Sequence, residues 1–405
     1  MAEQIERLAD DYEIHLYSSV VRDVPLTKVF WHRLPALPGP HLFTYCWWFI
    51  ANHLWRSWDR RFRSLNYDLV FSPGINCLDA DVTAVHIVFA ELLRSQKEEL
   101  RLGESPLRSW VRLVHRRMYY RLIATLERVI YTRLRSTIIV VAKRLAREIS
   151  RHFQREQDVH VIYNAVSQQA FNPELCLRRR KAARQDFGLP EGHFTLLLIG
   201  NGWRTKGLAS VLHAMAQVKG LPLNLLVVGR DDRMPYEAFI RKLQLDHCVR
   251  FLEPSSDVLQ FYAASDVYVG PSLHDSFAIP PLEAMACGLP VITSSRNGGS
   301  EIITNGVDGF VLEDPRDSNS LAELISLLFH NEGLRQRMGE AAAKTARQYT
   351  WERNAEQLGQ LFREVIERKM KLGIRNSNLE IRNSNPQGEI PRGARNDSLG
   401  ATKST

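Results

Sequence analysis

The stretch Val267–Ser295, VYVGPSLHDSFAIPPLEAMACGLPVITSS, decides the fold. It opens on a short apolar run, Val267–Ser272, and closes on another, Val291–Ser295. Between them Leu282–Cys287 reads as a helix, stopped by Gly288 and Pro290. Pro280 and Pro281 suit a first helical turn, where amide donors have no partner inside the helix. Strand, loop, helix and strand in that order make a parallel crossover. Towards the N-terminus the same alternation repeats. FTLLLIG (Phe194–Gly200), LNLLVVG (Leu223–Gly229) and VRFL (Val249–Leu252) read as strands, separated by helices at Lys206–Lys219, Tyr236–Leu243 and Val258–Ala264. Almost purely apolar strands in such an alternation predict a parallel sheet covered on both faces.

The first half reads as a looser version of the same pattern. A helix is expected at Glu3–Asp10, and strands at Tyr12–Tyr17, Tyr67–Phe71, Val82–Phe89, Ser136–Val141 and Val159–Tyr163, with a helix at Lys143–Phe153. Residues 106–134 read as one amphipathic helix, with Leu107, Val111, Val114, Met118, Leu122 and Leu126 on one face and arginines on the other. Helices at Ser318–Phe329 and Trp351–Lys369 close the ordered chain. Its 405 residues exceed one ordinary domain. The expected division is residues 1–165, residues 166–350, a helix over 351–370 that crosses back, and a tail, 371–405. The tail repeats IRNSN at 374–378 and 381–385 and holds little to bury, so disorder is expected.

Composition excludes several classes. No run of about 18 apolar residues occurs; Leu42–Trp55 comes nearest and is too short to span a bilayer. The N-terminus lacks a basic region followed by an apolar run, so no signal peptide is expected. Five scattered cysteines form no CxxC pair, which points to neither zinc nor a disulfide framework and fits a reducing cytoplasm. The net charge is +8, but residues 101–160 alone carry +9, the tail +3 and the rest −4. One basic face on an otherwise acidic protein fits a solvated helix surface or an anionic membrane surface at the cytoplasmic side. No nucleic-acid motif or aromatic stacking ladder accompanies those arginines, so no nucleic-acid partner is expected.

The chemistry concentrates at His274–Pro290. Amides near Phe277, Ala278 and Ile279 lie at a helix N-terminus at the carboxyl end of the sheet, where an anion such as a phosphate is favoured. Asp275 and Glu283, eight residues apart, flank that point. Carboxylates accept well from sugar hydroxyls, although Glu283 equally suits the positive end of the helix dipole.

These residues resemble the acidic-x7-acidic signature of family 4 (group 1) retaining glycosyltransferases of the GT-B fold. IGNGWRTKGL (Ile199–Leu208), VIYNAVSQQAFNP (Val161–Pro173), VRFLEPSSDVLQFYAASDVYVGPS (Val249–Ser272) and NGGSEIITNGVDGFVL (Asn297–Leu312) are similar to further family segments, in the family's order. The glycine turn with Trp203 looks closest to the lipopolysaccharide-core type. The resemblance implies two Rossmann-like domains facing a cleft. It also implies transfer of a sugar, with retained configuration, from a nucleotide-diphosphate sugar, most simply a UDP-sugar, to a glycan or lipid-linked acceptor in cell-envelope polysaccharide synthesis. Glu283 would hold the donor's ribose and Asp275 the transferred sugar. Lys206, helped by Arg204, would neutralise the diphosphate. Gly200, Gly202, Ser276, Phe277, Ala278, Ile279, Gly298 and Gly299 would line the donor site. His86 would position the sugar, and its alternative is an ordinary half-buried histidine. Lys206 has the alternative of a helix-surface lysine, and the two glycines that of a tight turn.

Four departures matter. The segment at Asn164 has Ala165 and Ser167 where the family commonly has Gly and Asp. The first acidic position is usually Glu, not Asp275. The family's Arg lies where this chain has Asn201. The family also opens with a strand and a Gly-rich loop, whereas this sequence starts at the following helix, MAEQIERLA, so the first strand is expected to be missing. No metal is expected: Asp79-Ala80-Asp81 imitates a DxD motif that serves a different transferase fold. A degenerate, membrane-associated binding subunit and a sugar-nucleotide epimerase or hydrolase stand as the alternative functions.

Overall fold

The computed structural model describes residues 1–95 and 110–373. The N-terminal lobe runs α1 (Ala2–Leu8), β1 (Ile14–Ser18), β2 (Val29–Arg33), α2 (His41–Phe62), β3 (Phe71–Pro73), β4 (Val82–Val85), α3 (Phe89–Ser95), α4 (Trp110–Tyr131), β5 (Thr137–Val140), α5 (Lys143–Phe153) and β6 (Val159–Val161). The C-terminal lobe runs α6 (Pro173–Asp186), β7 (Phe194–Ile199), α7 (Leu208–Gln217), β8 (Leu223–Val228), α8 (Met234–Leu243), β9 (Val249–Leu252), α9 (Leu259–Ala264), β10 (Val267–Gly270), α10 (Ile279–Ala286), β11 (Val291–Ser294), a 3-10 turn at Gly298–Ile302, β12 (Phe310–Leu312), α11 (Ser318–His330) and α12 (Glu332–Ala346). A last helix, α13 (Trp351–Lys371), follows.

The C-terminal lobe is one parallel sheet in the order β12-β11-β10-β7-β8-β9. All of β8, β10 and β11 and nearly all of β7 is buried. That is why these strands carry no polar alternation: helices cover both faces. Strand order reverses between β10 and β7, which opens a crevice at their carboxyl ends, the usual ligand position in such sheets. The basic stretch Arg178–Arg184 is the interior of α6, where Arg180 and Arg184 reach Asp266 at 2.5 and 3.6 Å.

The N-terminal lobe holds a four-stranded parallel sheet, β3-β4-β5-β6, and a separate parallel pair, β1-β2. A cavity of about 720 Å³, lined by β1, residues 65–73, α1 and α13, belongs to this lobe, and Lys206, Asp275 and Glu283 do not line it. α13 packs on this lobe. Its Leu358, Leu361, Phe362 and Val365 pack with Leu8, Val82 and Ile139, and Lys369 pairs with Asp81 at 2.8 Å.

Several expectations are corrected. α2 is a complete 22-residue helix where the sequence showed only a short apolar stretch. In α4, Val114 and Met118 are exposed, while Ile123, Glu127, Ile130 and Tyr131 turn inward. The cause is polar: the Glu127 carboxylate accepts the amides of Phe89 and Ala90 at 2.7 and 2.9 Å, which fixes that face inward. Residues 106–109 of the expected helix lie outside the described residues, as does the tail from residue 374. α13 continues through Lys371, past the expected start of the tail. Among the described residues no helix is long and apolar enough to cross a membrane.

Candidate donor site

Four loops meet at the carboxyl edge of the C-terminal sheet. The loop after β7, residues 200–207, is tied to the loop after β8: the Arg230 amide donates to Asn201 Oδ1, and the Trp203 amide to Asp231 Oδ2, both at 2.8 Å. It is tied to the loop after β10 by the Leu273 amide, which donates to the Thr205 carbonyl at 2.8 Å. Gly207 takes a left-handed φ of +81°, and a Cβ there would lie 2.2 Å from the Pro271 carbonyl oxygen, so only glycine lets the two loops approach. The loop after β10 then pairs with the one after β11: the Asp275 amide donates to Arg296 O at 3.1 Å and the Gly298 amide to Asp275 O at 3.0 Å.

This convergence brings Lys206 and Asp275 together. They follow β7 and β10, the two strands that flank the crevice, and Lys206 Nζ lies 2.5 Å from Asp275 Oδ2. Lys206 sits in the turn before α7, not on the helix surface, and both side chains are largely buried. Glu283 lies in the second turn of α10. Its Oε2 accepts from the Tyr262 hydroxyl at 2.5 Å. Burial raises the Glu283 pKa, and the Tyr262 hydrogen bond offsets part of that rise. The inward carboxylate therefore keeps a fixed rotamer instead of merely complementing the helix dipole.

The phosphate cradle is smaller than the sequence suggested. The Ala278 amide donates to Asn297 Oδ1 at 3.0 Å and is spent. The same oxygen accepts from Gly299 N at 3.0 Å, and Asn297 is wholly buried. Phe277 and Ala278 are buried and Ile279 is exposed. Ser276 enters through its backbone: a Cβ on Gly298 would lie 1.9 Å from Ser276 O and 2.7 Å from the Ala142 side chain. Gly298 is thus a close-approach glycine against both loop and opposite lobe. Gly200 (φ +132°) and Gly202 (φ +71°) shape the turn before Lys206. Trp203 is fully buried against Phe251 and Tyr236, a core residue and no donor contact. Arg204 is exposed, and its charge acts on the Tyr236 phenol. His86 directly follows β4 and keeps accessible surface, while the protein mass around it, and then the Met1 amino group, lower its pKa.

The lobes also touch beside the site. Glu301, just beyond the glycine pair, accepts the amides of Lys143 and Arg144 at 2.7 Å each and so caps α5 of the other lobe. His274 has a buried Nε2 without a hydrogen bond. Its pKa is lowered by burial first and then by Arg144, with Glu148, Asp275 and Glu91 opposing. Asn297, Tyr262, Glu301 and His274 were not singled out from sequence. Asn297 and Glu301 sit in the quoted NGGSE segment and His274 precedes Asp275, whereas nothing local marks Tyr262.

Asp79 and Asp81, the DxD look-alike, are engaged elsewhere. Asp79 pairs with Arg56 and Arg60 at 2.5 and 3.0 Å, and Asp81 with Lys369.

Residues 179–345 match the family of glycosyl transferases group 1. A D-inositol 3-phosphate glycosyltransferase of Corynebacterium jeikeium is 30% identical over 200 residues, 46% of this chain and 48% of the relative. The lipopolysaccharide glucosyltransferase WaaG of Escherichia coli is 28% identical over 235 residues, 57% of this chain and 62% of the relative. The chain thus spans about half to under two thirds of these relatives. A crystal structure of WaaG superposes with a TM-score of 0.70 at 21% identity, over 89% of this chain and 94% of that one. Anabaena HepE in complex with UDP-glucose superposes at 0.66 with 18% identity, over 89% and 94%. Both likenesses show the two-lobed GT-B fold.

Proposed function

We propose that the chain moves a sugar from a UDP-sugar to a glycan or lipid-linked acceptor of the cell envelope, with retained configuration; the match of residues 179–345 to the glycosyl transferases group 1 family and the GT-B fold support this. The Lys206–Asp275 pair at the crevice between β7 and β10 carries this reading. A cation paired with one carboxylate, with a second carboxylate on α10, suits a nucleotide-diphosphate sugar. The ammonium meets the diphosphate, whose negative charge grows as the glycosidic bond breaks. Asp275 accepts from sugar hydroxyls and Glu283 from ribose hydroxyls.

Bond making falls to the substrates themselves. The acceptor hydroxyl attacks the anomeric carbon from the face the diphosphate leaves, and its proton passes to the departing phosphate oxygen. The protein supplies positioning and charge stabilisation. In this scheme His86, directly after β4, is assigned to orient the sugar. No metal is invoked in this scheme. HepE, crystallised with UDP-glucose, supports the choice of uridine, and WaaG supports a lipopolysaccharide acceptor. Reaction takes place at the cytoplasmic face of the membrane, where such acceptors are built.

The test is product analysis with labelled UDP-sugars, with and without a lipid-acceptor fraction. Acceptor-dependent transfer that is lost in Glu283→Ala and in Lys206→Ala, both folded, is the expected outcome. Full turnover by both variants overturns the site. Label released equally without acceptor points to a hydrolase, and absence of nucleotide binding to a non-catalytic subunit.

A further inference from the structure

The helix α2 is built inside out. Its most buried residues are Ala51, Asn52, Arg56 and Asp59, three of them polar, and all are nearly inaccessible to water. Each of the polar three has an anchor there: Arg56 reaches Asp79 at 2.5 Å, Asp59 Oδ2 accepts from Tyr17 at 2.6 Å, and Asn52 Nδ2 donates to Asn76 O at 3.2 Å. Its outward face is the apolar one. Phe43, Ile50, Leu54, Trp58 and Phe62 recur at helical spacing with 75%, 54%, 63%, 57% and 62% of their surfaces exposed. Trp55 is exposed beside them, and the Trp58 and Phe62 rings lie 4.1 Å apart. From Phe43 to Phe62 the stripe is roughly 28 Å long at about 1.5 Å per residue. Single exposed apolar residues need no explanation, but a continuous aromatic stripe does.

We propose that this face of α2 lies in the surface of an anionic lipid bilayer and holds the protein there. Three observations select that occupant. The stripe is convex and lies on a single helix, so it fits a soft planar medium. It mixes Trp and Phe with aliphatic residues, the composition of helices that rest at the headgroup boundary. It is also flanked by cations. Arg61 is exposed at its C-terminal end, beside Arg60 and Arg63, which are exposed too but pair with Asp79 and Asp59 at 3.0 and 3.4 Å. α4, packed beside it through Tyr45 and Tyr119 and through the Leu42 amide on His115 Nε2 at 3.2 Å, exposes Arg121 with Val114 and Met118. A second copy seated on this face would bring two like-charged rims together, whereas anionic headgroups complement them. The basic block of residues 101–160 thus acts as the flank, and α2 as the inserted element.

This inference goes beyond the transferase reading and is tested apart from it. The full chain is sedimented with vesicles of phosphatidylcholine alone and of equimolar phosphatidylcholine and phosphatidylglycerol. Binding to the anionic vesicles, weakened by salt, is expected. The triple variant Ile50→Ser/Leu54→Ser/Trp58→Ser should lose about tenfold or more in partitioning, while uridine diphosphate titration and thermal melting stay as in the parent. Arg61→Glu should weaken binding to anionic vesicles alone. A parent protein left in the supernatant, or a triple variant that binds equally, overturns the proposal. So does a lipid-free dimer that the triple variant abolishes, which would assign the face to a second copy. Loss of nucleotide binding with vesicle binding intact strikes only the transferase reading.

Discussion

Lys206 Nζ and Asp275 Oδ2 lie 2.5 Å apart. A diphosphate that binds Lys206 competes with Asp275 for the ammonium, and its binding frees the carboxylate for the sugar. The two variants therefore diverge. Lys206→Ala should weaken UDP binding about 10- to 100-fold, the loss of one charge-assisted contact. Asp275→Ala should leave UDP binding unchanged or tighter, because its competitor is gone, yet abolish transfer. Calorimetry and turnover on both variants check this. Equal loss of UDP affinity in the two would refute the exchange.

Glu283 makes donor binding pH-dependent. Burial raises its pKa and Tyr262 pulls it part of the way back. Ribose hydroxyls need the ionised form as acceptor, so donor affinity should climb as pH rises through the raised pKa and then level. Tyr262→Phe removes the opposing hydrogen bond, so the climb should move to higher pH while the plateau persists. Fluorescence titration of UDP across mildly acidic to mildly alkaline pH reads both. A midpoint that stays put in Tyr262→Phe would show that the phenol does not tune the carboxylate.

The C-terminal lobe was legible because its strands are buried on both faces. Continuous runs such as Phe194–Ile199 have one reading, and the loops after them carry the chemistry. The N-terminal lobe was less so. There α2 hides polar anchors that no apolar pattern marks, and α4 turns on Glu127, so the apolar spacing through Val114 and Met118 marked positions that the fold leaves exposed. Within the site, Asp275 was found from its spacing to Glu283, and Lys206 only through the family resemblance. Tyr262 was not, because its partner Glu283 is 21 residues away and only the fold joins them. The amide of Ala278 looked free because its acceptor, Asn297, arrives from the next loop.

Glu301 and the start of α5 form the polar seam between the lobes. Ala142, at the N-cap, offers no side-chain acceptor. The carboxylate across the cleft takes the Lys143 and Arg144 amides in its place. Glu301→Ala should therefore cost about 1–2 kcal/mol, as loss of a cap and of a charge on the helix dipole. Glu301→Gln should recover part of it. Denaturant unfolding measures both, and an unaltered midpoint in the alanine variant would remove the cap from the account.

Glu127 supplies a pH signature with no part in donor chemistry. It is fully buried, and burial lifts its pKa to about 7 despite the two amides it accepts. Between the ordinary value of 4.5 and about 7 the folded chain keeps a proton that the unfolded chain has released. Stability from this group is therefore highest at low pH, falls as pH rises across that window, and is constant above it. The total is ~3 kcal/mol. Glu127→Gln stays neutral throughout and still accepts one amide, so its stability should vary less with pH. At about pH 8 it should stand closer to the parent, or above it, than at about pH 5. Urea midpoints of parent and variant at the two pH values give the comparison. The same pH slope in both would mean that the carboxyl is not protonated in the fold, and that its two amide contacts hold an ionised group.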